Sequence, residues 1–273
     1  MKSLFCCPIC GAALVGEEKS YRCPGGHAYD RAKEGYVHLL PPNHMHSKAP
    51  GDDKDMAAAR NRFLSGGYYA HLRDTLCALA LEYTPGDPAV VDSGCGEGYY
   101  TAGIHGALCA AGRSPRTAGV DLSKPSLRYA AKRTGAAEFA VASVYHLPMA
   151  DGTADLLVNC FSPLALEEFR RVLKPGGRFL YVVPGAKHLW ALKQVLYETP
   201  YPNAEDATPY EGFEYMEIRT AAREITVEGP ALRDLFRMTP YFWKTPKAGA
   251  ERLAELERLD VEADFKVHVF RKT

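Results

Sequence analysis

The period of the apolar positions changes along the chain, and each change marks an element. Residues 54–65 and 70–83 repeat apolar side chains at the three-and-four spacing of helices lying on a core. From Ala89 onward, short apolar runs alternate with helical stretches. Strands are predicted at Ala89–Ser93, Thr117–Asp121, 138–142, 154–160 and Arg178–Val183, and helices at 100–111, 124–133 and 164–173. That alternation builds a mostly parallel sheet with helices on both faces, an α/β fold. A further helix is expected over 187–198, and residues 200–220 read as an irregular insertion. Val261, Ala263, Phe265, Val267 and Val269 alternate with polar neighbours as a late strand does. The first 40 residues are short-period, hairpin-like and rich in glycine, proline and cysteine. A stretch with Pro41, Pro42, Pro50 and Gly51 and no apolar period follows them. The chain therefore divides into a small module over 1–40, a linker over 41–52 and a large domain over 53–273.

Cysteine placement gives the small module its chemistry. Of eight cysteines, Cys6, Cys7, Cys10 and Cys23 crowd the first 23 residues, whereas Cys77, Cys95, Cys109 and Cys160 are scattered. A disulfide framework would spread pairs along a secreted chain; a local cluster points to metal. Cys7-Pro8-Ile9-Cys10 sets two thiolates on one tight knuckle, and Cys23 and His27 arrive on the return strand. Cys6 is an alternative to Cys7, but the two-residue spacer favours Cys7. Four ligands with no open position make a structural zinc site. Reduced cysteines in a small core would be the other reading, yet about 40 residues rarely fold without such a staple. A zinc module in front of an enzyme domain is expected to serve substrate recognition.

The large domain carries a nucleotide-type loop. Val90-Val91-Asp92-Ser93-Gly94-Cys95-Gly96-Glu97-Gly98-Tyr99-Tyr100 leaves the first predicted strand of the alternating region and opens a helix. Glycines at 94, 96 and 98 let backbone lie against a ligand where side chains would collide. A Gly-x-Gly-x-Gly run alone also suits a dinucleotide. Asp92 directly before the first glycine favours S-adenosylmethionine, and Asp121 ends the next strand, where a carboxylate accepts both ribose hydroxyls. Arg171-Val172-Leu173-Lys174-Pro175-Gly176-Gly177-Arg178-Phe179 matches the helix–turn–strand before the fifth strand of class I methyltransferases. The expected architecture is thus a class I, Rossmann-like methyltransferase plus an N-terminal zinc-binding module, with S-adenosyl-L-methionine and structural Zn2+ as its cofactors.

Charge adds little. The chain balances 33 basic against 33 acidic side chains, which excludes a global nucleic-acid footprint. The first 50 residues lean basic by two, six against four. Met1-Lys2-Ser3-Leu4-Phe5 lacks an apolar leader, and no run of about 18 apolar residues occurs, so a cytoplasmic protein without membrane partners is expected.

Several segments together resemble one family, the 23S rRNA (guanine-N1)-methyltransferases. They are the block His27–Leu40, within it Ala32-Lys33-Glu34-Gly35-Tyr36, then Pro50-Gly51-Asp52 and the loop Asp92–Tyr100. Ser123-Lys124, Ala130–Arg133, Pro184–Leu189 and Met238-Thr239-Pro240-Tyr241 continue the likeness over nearly the whole chain. His38 departs from the family pattern, where Asn is expected, and Asn159-Cys160-Phe161-Ser162-Pro163 matches it only in part. The resemblance implies methyl transfer to guanine N1 in a hairpin of 23S ribosomal RNA, by a homodimer whose zinc modules flank the RNA cleft. It also implies donor contacts at Tyr69, Gly96, Glu97 and His188. Position 159 faces the acceptor in many class I enzymes. Guanine N1 lies on the Watson–Crick edge, so the base must be unpaired or flipped, and Phe161 is a candidate stacking ring. No residue of the sequence stands out as the proton acceptor. Two other readings are a class I enzyme for a small molecule and a non-catalytic RNA-binding factor that kept the fold. The zinc module argues against the first, and intact Asp92, glycines and Asp121 against the second.

Overall fold

The computed structural model describes residues 2–42, 51–204 and 209–273. Most of the expected linker, 43–50, lies outside the described residues. Five short strands come first: β1 (Lys2–Cys6), β2 (Ala13–Gly16), β3 (Ser20–Arg22), β4 (Ala28–Asp30) and β5 (Val37–His38). Helices α1 (Lys54–Ser65) and α2 (Ala70–Tyr83) lead into β6 (Ala89–Ser93), α3 (Tyr99–Ala110), β7 (Arg116–Asp121), α4 (Lys124–Arg133) and β8 (Glu138–Val141). Then follow β9 (Ala154–Cys160), α5 (Leu166–Val172), β10 (Leu173–Pro184), α6 (Trp190–Leu196) and β11 (Phe213–Glu228). α7 (Pro230–Arg237), α8 (Tyr241–Lys244), α9 (Lys247–Ala254) and β12 (Arg258–Lys272) complete the chain.

Among the described residues, β1 to β4 form one antiparallel sheet and eight strands form the large one, in the order β11-β12-β10-β9-β6-β7-β8-β5. From β5 to β10 the pairings of this large sheet are parallel; β12 runs antiparallel to both β10 and β11. β6 and β7 meet in the middle, so the loops at their carboxyl ends open side by side. In open α/β sheets a ligand binds at such carboxyl ends.

Local sequence fixes the helices around that rim. Asp53 caps α1, its Oδ1 accepting from the Asp55 and Met56 amides at 2.8 Å each, a cap worth about 1 kcal/mol. Met56, Ala57, Ala59, Phe63 and Leu64 are the buried side of α1. Ser123 caps α4, with its Oγ accepting from the Ser126 amide at 3.1 Å.

The two faces of the large sheet hold separate cores. On one face α2, α3, α6 and α7 pack Leu72, Leu76, Ile104, Leu192 and Leu232 against Val90, Val158, Val182, Phe265 and Val267. On the other, Phe169 and Val172 of α5 share a cluster with Val91, Val120, Phe179 and Phe270. Leu4, Phe5, Leu14 and Tyr21 of the small module belong to that same cluster. β5 joins the large sheet, pairing Val37 with Ala140 and His38 with Val141. The cysteine module is thus packed into the core of the larger unit.

Three expectations change. Residues 173–177 are strand, with a register irregularity between Leu173 and Arg178, because the turn sequence there is accommodated as a bulge beside β9. The expected insertion ends at Phe213, where β11 begins and pairs along the length of β12. The helix expected over 187–198 shortens to α6, because Leu189 adopts a left-handed φ of 54° and starts it late. No helix among the described residues is long and apolar enough to cross a membrane.

Candidate functional site

In the small module, single ligand atoms of Cys7, Cys10, Cys23 and His27 all lie within 4.8 Å of one another. The Cys7 Sγ is 3.5 Å from His27 Nδ1, the Cys23 Sγ is 3.3 Å from it, and the Cys10 and Cys23 sulfurs are 3.6 Å apart. Three thiols and an imidazole converging on one point are a tetrahedral donor set for Zn2+. Tyr29 was not legible as part of this centre: its hydroxyl donates to Cys7 Sγ at 2.9 Å. Burial pushes the Cys7 thiol up, but this hydroxyl and the Cys10 and Ile9 amides outweigh it and hold the thiol at about 6. Such hydrogen bonds favour the thiolate, the form that ligates metal. Cys6 lies outside the cluster, its amide bonded to the Pro148 carbonyl at 2.6 Å.

In the large domain, β6 delivers Asp92 and Ser93 to the rim, and the glycine loop turns there. Gly94, Gly96 and Gly98 take φ of 82°, 55° and 78°, the left-handed region that disfavours side chains. A Cβ at Gly98 would stand 2.9 Å from the Ala130 Cα, so that glycine lets α3 approach α4; a Cβ at Gly96 would meet nothing within 4 Å. The space over Gly96 is where a ligand can lie. Asp121, at the end of β7, ties the loop down. Its Oδ2 accepts from the Gly96 amide at 2.9 Å and its Oδ1 from the Ser123 amide at 2.7 Å. Each oxygen keeps a lone pair for a ribose hydroxyl.

Asp92 is 2% exposed. Its Oδ2 accepts from Thr101 Oγ1 at 2.5 Å, and its Oδ1 has no partner among the described residues. Burial raises its carboxyl to about 7. Glu97 is equally buried and is also pushed up to about 7 by burial, against the pull of Arg133 and Arg60. Its Oε2 accepts from the Tyr99 amide at 3.3 Å, and Arg133 Nη2 approaches its Oε1 at 3.5 Å. Tyr69 and His188 close another wall, with ring centroids 6.0 Å apart and both packed on Phe265, at 4.8 and 4.5 Å. The Tyr69 hydroxyl and His188 Nδ1 are likewise buried without partners. Burial, with Lys193 adding to it, pushes the His188 imidazole down to about 3, so it is neutral at physiological pH.

Unpartnered buried polar atoms are rare because each costs about 1–3 kcal/mol. Here Asp92 Oδ1, Tyr69 Oη and His188 Nδ1 belong to walls of one loop-bounded site, and that pattern fits a polar, cation-bearing ligand. The residues present therefore fit S-adenosylmethionine: its ammonium could donate to the free Asp92 oxygen, and its ribose hydroxyls to the lone pairs left on Asp121.

On the acceptor side, two residues stand at the end of β9 and just after it. Asn159 is fully buried, its Nδ2 donating to the carbonyls of Ser93 at 3.4 Å and Pro163 at 3.1 Å. Its Nδ2 thereby braces the end of β9 against β6, while its Oδ1, like Asp92 Oδ1, is buried without a partner among the described residues. Phe161 is half exposed, takes a strained φ of 54°, and sets its ring 5.6 Å from Phe265.

The loop, the β7 carboxylate and the strand order define a class I S-adenosylmethionine-dependent methyltransferase with a zinc ribbon packed against it. Comparison with known proteins agrees. Residues 5–48 match the zinc ribbon model described as RlmA, N-terminal, and residues 91–181 match a methyltransferase domain. The chain is 35% identical to the 23S rRNA (guanine(748)-N(1))-methyltransferase of Streptomyces fradiae, over 92% of this chain and 90% of that one. A Micromonospora griseorubida protein assigned as a 23S rRNA (guanine-N(1)-)-methyltransferase is 34% identical over 97% of this chain and 96% of its own. One from Bacillus subtilis with the same assignment is 30% identical, covering 99% and 98%. The chain belongs to the 23S rRNA (guanine-N1)-methyltransferase family.

Proposed function

We propose that this protein transfers the methyl group of S-adenosylmethionine to N1 of a guanine in a hairpin of 23S ribosomal RNA, with the N1 proton lost to water and S-adenosylhomocysteine released. The observation that carries the reading is continuity: the likeness to the relatives runs through the zinc ribbon, the donor loop and the C-terminal strands, 97% of the chain in one case. The donor binds against Tyr69, Asp92, Gly96, Glu97, Asp121 and His188, on a loop whose Gly94 and Gly98 give it the shape to receive it. Cys7, Cys10, Cys23 and His27 hold the zinc. Residues 1–40 serve as the RNA-recognition module, 41–52 as its linker and 53–273 as the methyltransferase domain. The enzyme works in the cytoplasm, as a homodimer whose two modules flank the RNA.

The sulfonium of the donor supplies an electrophilic methyl group, so the chain's task is orientation more than activation. Asp121 fixes the ribose, Asp92 offers its free oxygen to the ammonium, and neutral His188 adds no repelling charge beside the sulfonium. A flipped guanine stacks on Phe161, whose half-exposed ring lies beside Phe265. Mass-spectrometric mapping of ribosomal RNA from a deletion strain tests the reading. One N1-methylguanine of the 23S RNA should disappear; an unchanged modification pattern would sink it. Sedimentation of the purified protein tests the homodimer, and a monomer at micromolar concentration would contradict it.

A further inference from the structure

We infer that Arg60 is the receptor for the carboxylate of the methyl donor, held in place by a strap that crosses the ribose site. The inference rests on the donor-site reading above and extends it to a residue that neither the loop nor the β7 carboxylate identifies.

The strap is Gly51-Asp52. Gly51 has φ 78°, and a Cβ on it would lie 3.0 Å from the Ser123 Cβ and 3.1 Å from its amide nitrogen, so backbone crosses directly on Ser123. Ser123 Oγ donates to the Asp52 carbonyl at 2.7 Å, and the Ser123 amide donates to Asp121 Oδ1 at 2.7 Å. One residue thereby joins the strap to the Asp121 carboxylate, by its hydroxyl on one side and its backbone amide on the other. The Asp52 carboxylate pairs with Arg60 Nη1, and Arg60 Nη2 donates to the Met238 carbonyl at 2.9 Å. Helix α1, the strap and the end of α7 thus fix the guanidinium from three directions. Its side chain is 28% exposed, so it retains an open edge.

A guanidinium has five N–H donors, and these contacts name two of them. Around it, within electrostatic reach, lie Glu97, Asp121, Tyr100 and Tyr69, which are walls of the donor site. The donor carries one ammonium, one sulfonium and one carboxylate. Asp92, Glu97 and Asp121 provide for the cations and the ribose; the carboxylate requires a cation. Arg133 is committed elsewhere, to Asn61 Oδ1 at 2.8 Å, Ser65 Oγ at 3.1 Å and the Glu97 carboxylate. Lys193 gives its ammonium to the Tyr201 carbonyl at 3.0 Å and Asn203 Oδ1 at 2.7 Å, between the rings of Tyr201 and Tyr241. Of these described cations, Arg60 is the one within electrostatic reach of Asp121, it keeps unassigned N–H donors, and its planar fork matches a carboxylate bidentately. Asp52 sets its orientation as a positioning residue.

Decarboxylated S-adenosylmethionine isolates the contact, since it lacks the carboxylate alone. Calorimetric titration of the full chain with S-adenosylmethionine and with the decarboxylated analogue gives a ratio of affinities for each variant. Wild-type protein should prefer the intact donor. Arg60→Gln should weaken the intact donor about 10- to 100-fold and leave the analogue within about threefold, so the preference collapses. Retained analogue binding also shows that the variant is folded. Equal losses for both ligands with binding still measurable, or no loss for either, would overturn the inference. If Arg60→Gln binds neither ligand, Arg60→Lys decides: a reduced preference supports the assignment and a wild-type ratio overturns it. Failure of wild-type protein to bind S-adenosylmethionine at all would instead sink the donor-site reading, and this inference with it.

Discussion

Asp92 and Glu97 are carboxyl groups raised by burial to about 7, against about 4 in an unfolded chain. Between those values the folded, donor-free protein holds more protons than the unfolded chain. Its stability therefore falls as pH rises from about 4 through 7. A bound cation reverses the preference by favouring ionised Asp92. The increase in Tm caused by S-adenosylmethionine should accordingly be larger at pH 8 than at pH 6. Asp92→Asn should lower donor affinity about tenfold and flatten that pH dependence; a variant that keeps the wild-type pH profile would show that the group does not meet the cation. Asp121→Ala should cost about 3 kcal/mol of donor binding, read by calorimetry, because the Gly96 and Ser123 amides lose their acceptor together with the ribose.

At the scale of elements, two glycines of one loop separate binding from folding. Gly96→Ala adds a methyl into open space and costs about 1–2 kcal/mol of left-handed strain. The protein should still fold, with donor affinity reduced where the methyl meets the ligand. Gly98→Ala places its methyl against the α4 backbone, so it should lower Tm by several degrees more than Gly96→Ala. Thermal unfolding of both variants without donor checks the order, and equal losses would refute it. The basic residues around the zinc ligands divide in the same way. Arg31 donates to the Tyr21 hydroxyl at 3.0 Å and lies over its ring, whereas Lys33 and Lys19 are exposed. Changing Lys19 and Lys33 together to Glu should leave zinc content and donor affinity intact and weaken RNA binding. The salt dependence should become shallower by about the two phosphate contacts removed. RNA binding equal to wild type at every salt concentration would show that this face does not meet the RNA.

For the whole molecule, the shared core alters what zinc loss should do. As a separate module, residues 1–40 would unfold alone while the rest kept its donor. Instead Leu4, Phe5, Leu14 and Tyr21 pack with Val120, Phe179 and Phe270, and β5 is the edge of the large sheet. Chelation, or Cys10→Ala, should therefore lower the Tm of the methyltransferase domain itself. Two separate transitions in calorimetry, the upper one unmoved, would argue for independent units.

The clustering of Cys7, Cys10, Cys23 and His27, the glycine turn, and the places of Asp92 and Asp121 at the ends of adjacent strands were legible in the sequence because their geometry is local. A knuckle or a strand-to-helix turn needs particular residues at fixed short spacing, and the backbone does the rest. The alternation of strands and helices was legible for the same reason, since period reports which side of each element is buried. The edge strand β11 was missed because its pattern is mostly exposed and carries no clean alternation. Tyr29 beside Cys7, Thr101 beneath Asp92, Asn159 as a brace and Arg60 beside the ribose carboxylate depended on contacts between elements far apart in the chain. No spacing records which side chain a neighbouring element will present. That is settled only when the sheet order brings β6 beside β7 and α1 packs against α3, α4 and α7.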